Sequence, residues 1–328
     1  MRFRRNREIP PRYVDKGEHS SAANQVEKRN YKVFVRLLIS GGLISYVLWK
    51  VGPSSVAGAF AASRWGYILF AASLSVVFVA LKVLRWNFLL RSSGRRCGLG
   101  DCARSYLGGM SVAIVTPGRV GELARAFFTP FEDKTPVLAL ALADKILDMT
   151  CIFAFACLGA FRVFGPSAGV PVMMLSSAFV VSLFKPSLFR IVLRPLRPWT
   201  SLISRVERSV EAVASIRPRH MIVAIAMAMA TLTLAIFQFH LILSSFDARP
   251  FMTSATVMPM LVFANFVPFV MSGIGAREAL SIVLFRSHGV EAAAAVNTAL
   301  LLFIFDTASP AIVGTFVAGR RTAGRREE

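Results

Sequence analysis

The chain has 328 residues, with 38 basic against 18 acidic side chains and a formal net charge of +20. In a soluble protein that balance would point to nucleic acid, but here the basic residues gather at the ends of long apolar runs, where the positive-inside rule puts them, and mean hydropathy is +0.58. A soluble domain and a nucleic-acid partner are thereby excluded, and the expected fold class is an all-α polytopic integral membrane protein with about six spanning helices.

Residues 1–32 carry many basic residues and helix breakers and read as a disordered cytoplasmic tail. Arg4-Arg5 is not a twin-arginine signal, because the next apolar run starts only at Val33. The transmembrane domain is expected over 33–318, followed by a cytoplasmic tail at 319–328. Its spans are expected at 33–51, 65–86, 136–161, 169–184, 221–243 and 291–318. Trp65 and Trp86 sit where interfacial aromatics belong. The basic connector before His220 contains Ser201–Ile216, in which Leu202, Ile203, Val206, Val210 and Val213 share one face, as on an amphipathic surface helix.

Two apolar segments are interrupted. Ser105–Phe131 is broken by Gly108-Gly109 and by Thr116-Pro117-Gly118, and Phe251–Phe285 by Pro268 and by Ser272-Gly273. The charge bias decides how they sit. If 105–131 crossed once, the strongly basic connector 185–219 would face outward, against the positive-inside rule. If both segments are re-entrant hairpins, every long basic loop and both termini face the cytoplasm. Non-helical backbone at membrane depth is tolerated only inside protein or beside a wet cavity, so two hairpins imply an internal cavity. Units 65–161 and 221–318 then each read span, hairpin, span, with opposite orientations: an inverted repeat. Pro117, Gly121 and Glu122 find counterparts in Pro268, Gly275 and Glu278.

Charges inside membrane segments cost about 2.5–3.5 kcal/mol each, so those present need a partner or a purpose. In the first hairpin, Thr116 and Pro117 suit an N-cap and first helical residue, with Arg119, Glu122 and Arg125 in the following turns. The resulting helix N-terminus suits a phosphate, and Glu122 and Arg125 are spaced to pair. In the second, Ser272 is a candidate cap, Gly273 and Gly275 permit close backbone approach, and Arg277 and Glu278 follow. These five charges are candidate substrate-binding residues, and Pro117, Gly118, Gly121, Pro268, Gly273 and Gly275 are candidate helix-break and gating positions. The alternative is a structural salt bridge closing each break. Asp144 and Asp148 share a helix face, Asp148 about 18 Å and Asp306 about 22 Å along their spans. They are candidates for ion coupling, or else structural partners of Arg125, Arg277 or Lys145. Gln238, His240 and Asn265 are weaker candidates.

No Walker A loop and no HExxH motif is present, so neither ATP hydrolysis nor zinc-dependent hydrolysis is expected. Cys97, Cys102, Cys151 and Cys157 form no CxxC pair, and no metal or cofactor is expected.

The Pro-x-x-x-Gly-Glu-x-x-Arg run at Pro117–Arg125 and the Gly-x-Gly-x-Arg-Glu run at Gly273–Glu278 resemble the transmembrane region of lysylphosphatidylglycerol synthases. That flippase-like region also occurs as stand-alone proteins. The resemblance implies a fold over about Val33 to Ala318, without the synthase domain. In two-domain relatives the region moves aminoacylated phosphatidylglycerol between leaflets, and a separate cytosolic domain makes it. The expected function is therefore translocation of an anionic or phosphate-bearing membrane lipid at the cell (inner) membrane, not enzymatic, with a separate lipid-modifying enzyme as an implied partner. The alternatives are a membrane-embedded transferase or accessory subunit acting on lipid-linked intermediates, and a non-transporting scaffold. The topology is testable by single-cysteine labelling from each side. Sites in 185–219 should label from the cytoplasm and sites in 246–250 from outside, and external labelling near Ser201 would contradict the hairpin arrangement.

Overall fold

The structure, a computed structural model, describes residues 37–184, 216–262, 265, 270 and 272–324. The tail 1–32, the surface helix expected over Ser201–Ile216 (apart from its last residue), Pro268 and residues 325–328 lie outside the described residues. Among the described residues there are helices and turns but no strand. This is what lipid demands, because a helix satisfies its backbone hydrogen bonds within itself. The chain is a polytopic membrane protein.

The helices in chain order are α1 (Leu37–Val51), α2 (Pro53–Ala61), α3 (Trp65–Ser92) and α4 (Leu99–Ala113). A 3-10 segment (Pro117–Phe128) precedes α5 (Lys134–Phe164) and α6 (Pro166–Phe184). After the connector come α7 (Pro218–Phe246), α8 (Phe251–Val262), α9 (Ala276–Arg286) and α10 (Ala292–Phe303). A π turn (Ile304–Ala308) joins α10 to α11 (Ser309–Gly324). Among the described residues, four helical stretches are long and apolar enough to cross a bilayer: α3, α5, α7 and the run Ala292–Val317. At 1.5 Å per residue their 28, 31, 29 and 26 residues exceed the ~30 Å hydrocarbon core. The two other expected spans are represented by α1, 15 residues as described, and α6, 19 residues.

Local signals set the element ends. Asp133 accepts the Thr135 N–H at 3.0 Å and caps α5, which stops at Gly165 before Pro166 opens α6. Packing then gathers the elements round one interior. Gln238 of α7 donates to the Ala71 carbonyl at 3.1 Å and to Ser75 Oγ at 2.8 Å on α3. Gly159 of α5 lies so close to α8 that a Cβ there would come within 2.5 Å of the Thr256 carbonyl oxygen. Small residues at such crossings let membrane helices pack backbone to backbone.

Both interrupted segments fold back on themselves. The 3-10 segment packs along α4, with Gly108 against Phe128, Gly109 against Arg125 and Gly121 against the Val112 backbone. α9 likewise packs on α8. The breaks differ from expectation in detail. Gly118 and Arg119 have φ of 62° and 54°, so the backbone tightens into 3-10 geometry instead of starting an α-helix. Thr116 Oγ1 consequently caps the Gly121 N–H at 2.8 Å, and the Arg119 N–H returns to the Thr116 carbonyl at 3.3 Å. At the second break the cap is not Ser272. Gly275, at φ 82°, opens α9, and Glu278 reaches back to accept its N–H at 2.6 Å. Arg119 and Ser272 are the two non-glycine residues with positive φ among the described residues, one at each break. Backbone strain of this kind clusters at functional sites.

Candidate functional site

The two hairpins and the long helices enclose a cavity of about 110 Å³. Arg119, Glu122, Arg125, Asp144, Asp148, Arg277 and Asp306 all line it, so the structure brings together most of the charges singled out above. Glu278 does not line it; its carboxylate is engaged in capping α9.

One wall is a lattice of ion pairs. Arg85 of α3, with no exposed surface, contacts Asp144 at 2.6 Å and Asp148 at 2.8 Å on α5. The Asp144 contact is a close ion pair without an aligned N–H···O hydrogen bond. The other oxygen of Asp144 meets Arg125 at 2.7 Å, and the other oxygen of Asp148 meets Lys82 at 2.6 Å. Arg125 also donates to the Ala141 carbonyl at 2.8 Å and lies 4.3 Å above the Trp86 ring. Trp86 Nε1 donates to Ser105 Oγ at 3.1 Å, and Ser105 donates to the Arg125 carbonyl at 2.7 Å. Nearer the turn, Glu122 holds Arg119 on one oxygen and Lys145 on the other, both at 2.7 Å. The expected Glu122–Arg125 pair does not form. Arg125 turns to Asp144, because the fold-back presses its Cβ against Gly109 and its guanidinium toward α5.

Every oxygen of Asp144, Asp148 and Glu122 therefore faces a cation, and because Arg85 serves two of them, five cations serve the six oxygens of three carboxylates. The i,i+4 spacing on α5 is what lets one guanidinium bridge both aspartates.

The opposite wall is unsaturated. Arg277 is 3% exposed. Its nearest carboxylate atom is Glu278 Oε1 at 3.8 Å, and its Nε and Nη2 have no acceptor among the described residues. Its guanidinium lies 5.0 Å from the centre of the Phe303 ring. Asp306 sits in the π turn, with Oδ1 buried and without a partner. Asn265 lines the same side and also has an unpartnered oxygen, Oδ1. Gln238 and His240 lie elsewhere, the latter against Ser254 at 3.2 Å.

The main-chain phosphate seat expected at the first break is not available as drawn, since the Arg119 and Gly121 N–H groups are satisfied within the turn. Side chains carry the positive charge instead. Sequence reading missed Lys82 and Arg85. Their signal was two basic residues three apart, on one helix face, inside an otherwise apolar 28-residue helix.

A family model described as the lysylphosphatidylglycerol synthase TM region matches residues 33–314. No curated protein matches the chain.

The lattice predicts unequal costs. Asp144→Asn leaves the buried Arg85 and Arg125 each short of an anion and should cost about 3–5 kcal/mol, enough to lose a monodisperse species in detergent. Glu122→Gln keeps a hydrogen-bond acceptor in front of Arg119 and Lys145, whose side chains retain 16% and 19% exposure, and should cost less than Asp144→Asn. Thermal unfolding in detergent checks the order.

Proposed function

Because the chain belongs to the lysylphosphatidylglycerol synthase transmembrane-region family, we propose that it is a lipid translocator, moving a phosphate-bearing membrane lipid between leaflets. The head group passes through the charged cavity while the hydrocarbon chains remain in the bilayer. The chain performs no chemistry on the lipid and hydrolyses no nucleotide. It sits in the cell membrane with both termini in the cytoplasm, about six spans, and two re-entrant hairpins arranged as an inverted repeat, the architecture of alternating access.

The observation that carries this reading is Arg277. A guanidinium buried to 97% with unfilled N–H groups is among the costliest side chains to keep in a membrane protein, unless an anion completes it. The cavity is lined by five basic side chains (Lys82, Arg119, Arg125, Lys145 and Arg277) and four carboxylates (Glu122, Asp144, Asp148 and Asp306), an excess that favours an anion. The planar fork of arginine suits a phosphate. The paired design supports alternating access. Each hairpin has a strained turn, each delivers arginine to the same space, and each is flanked by long apolar helices.

Glu278 leaves the binding set on this reading, and Arg277 and Arg119 hold the phosphate. Arg277→Gln should lower leaflet exchange of a fluorescent phospholipid in reconstituted vesicles by tenfold or more, an effect of about 1.4 kcal/mol or greater. It should leave the protein monodisperse, because no ion pair within hydrogen-bonding distance is broken. Wild-type exchange should be the same with and without ATP. Normal exchange by Arg277→Gln would remove this residue from the site.

A further inference from the structure

We infer that Asp306 is a proton-carrying counter-ion that competes with the lipid phosphate for Arg277, making translocation a symport of lipid and proton. This rests on the translocator reading above and adds the coupling ion to it.

The inference comes from which cavity carboxylates have unused capacity. Asp144, Asp148 and Glu122 each have both oxygens against cations, and Glu278 is fixed in its cap. Asp144 Oδ1 also lacks an aligned hydrogen bond but lies 2.6 Å from Arg85, so among the described residues Asp306 alone of the cavity-lining carboxylates has a buried oxygen with neither a hydrogen bond nor an ion pair. Arg277 is the guanidinium that lacks acceptors on the same wall. The two are near enough to interact electrostatically yet form no ion pair within 4 Å. Basic groups face Asp306 from three elements: Arg277 from α9, Arg119 from the 3-10 segment and Lys82 from α3. α5 brings Asp144, Lys145 and Asp148 to the cavity, the 3-10 segment brings Glu122 and Arg125 besides Arg119, and α4 brings Tyr106, while α7 and α8 bring only uncharged residues. Arg119 and Lys82 are already held by Glu122 and Asp148. That leaves Arg277 as the cation Asp306 can acquire.

Asp306 also sits on an adaptable piece of backbone. The π turn Ile304–Ala308 interrupts an otherwise continuous helix, and such turns are frequent at functional sites. A small shift there brings the carboxylate to Arg277 or takes it away.

Two states then have the same local charge. In the loaded state, the phosphodiester anion occupies Arg277 and Asp306 holds a proton. In the empty state, the lipid has left, Asp306 has released its proton to the same side, and its carboxylate pairs with Arg277. Guanidinium plus phosphate plus neutral acid sums to zero, and so does guanidinium plus carboxylate. A site with constant charge avoids exposing an uncompensated ion to the low-dielectric interior as it changes access. One proton accompanies each lipid, entering and leaving on the lipid's own side.

The test uses the full-length protein in vesicles of zwitterionic phospholipid with a trace of fluorescent phosphatidylglycerol, and protein-free vesicles as the blank. With the lumen one pH unit more alkaline, the labelled lipid should move to the inner leaflet until its ratio approaches about tenfold, the equilibrium value for one proton per lipid. A potassium–valinomycin potential without a pH gradient should shift nothing. Asp306→Asn, which leaves Arg277 without a counter-ion in the empty state, should slow exchange and lose the response to the gradient, and Asp306→Glu should keep both. Protein-dependent exchange indifferent to the gradient in the wild type overturns the inference while leaving the translocator reading standing. Absence of any protein-dependent exchange overturns the translocator reading itself. A gradient response in Asp306→Asn equal to wild type, or failure of that variant to fold, would assign Asp306 a different role and overturn the inference.

Discussion

Asp144 is the point on which the interior depends. A single carboxylate, 2% exposed, is shared by Arg85 from α3 at 2.6 Å and Arg125 from the first hairpin at 2.7 Å. Arg125 has no other carboxylate within ion-pair distance among the described residues, and Arg85 has only Asp148 besides, so Asp144 offsets most of the penalty of desolvating both. One residue thereby ties three elements, and the Lys82–Asp148 and Lys145–Glu122 pairs join the same elements beside it. The tie is reinforced where Arg125 lies over Trp86 and where Ser105 accepts from Trp86 and donates to the Arg125 carbonyl. The first hairpin is clamped by charge, by aromatic contact and by backbone hydrogen bonds together.

Among the described residues the second hairpin has nothing comparable. Glu278 is turned inward on its own helix start, Arg277 rests over Phe303 with N–H groups unfilled, and Asp306 waits on a π turn. The cavity thus has one wall that is electrostatically complete and one that is not. A complete wall supplies shape and long-range positive potential; an incomplete one supplies the specific contacts a ligand would satisfy. In the translocation account the clamped half acts as the frame, and the half holding Arg277 and Asp306 is where binding energy is exchanged.

Much of this was legible in the sequence, and the limits are physical. Apolar runs longer than about 20 residues identified the helices now seen as α3, α5, α7 and 292–317, because length against bilayer thickness is a strong constraint. Pro117, Gly118, Gly273 and Gly275 marked both breaks, since proline fixes φ and glycine reaches positive φ without strain. The i,i+4 spacing of Asp144 and Asp148 predicted a shared face correctly. Partners across elements were not legible. Arg125 stands three residues from Glu122, yet the turn at Gly118 and Arg119 sends them to different neighbours on α5. Lys82 and Arg85 stand near the end of the span expected over 65–86, where cations are ordinary, and only the fold shows them turned inward onto Asp144 and Asp148. Glu278 looked like a ligand because its use as a cap depends on the φ of Gly275, which no spacing rule reports.

The central claim is that Arg277 is completed by a lipid phosphate. Mass spectrometry of the intact protein, purified in mild detergent, tests it most directly. The account predicts a phosphate-bearing lipid retained by the wild type and lost on Arg277→Gln. Equal retention by both proteins, or a bound lipid with no phosphate, would contradict it.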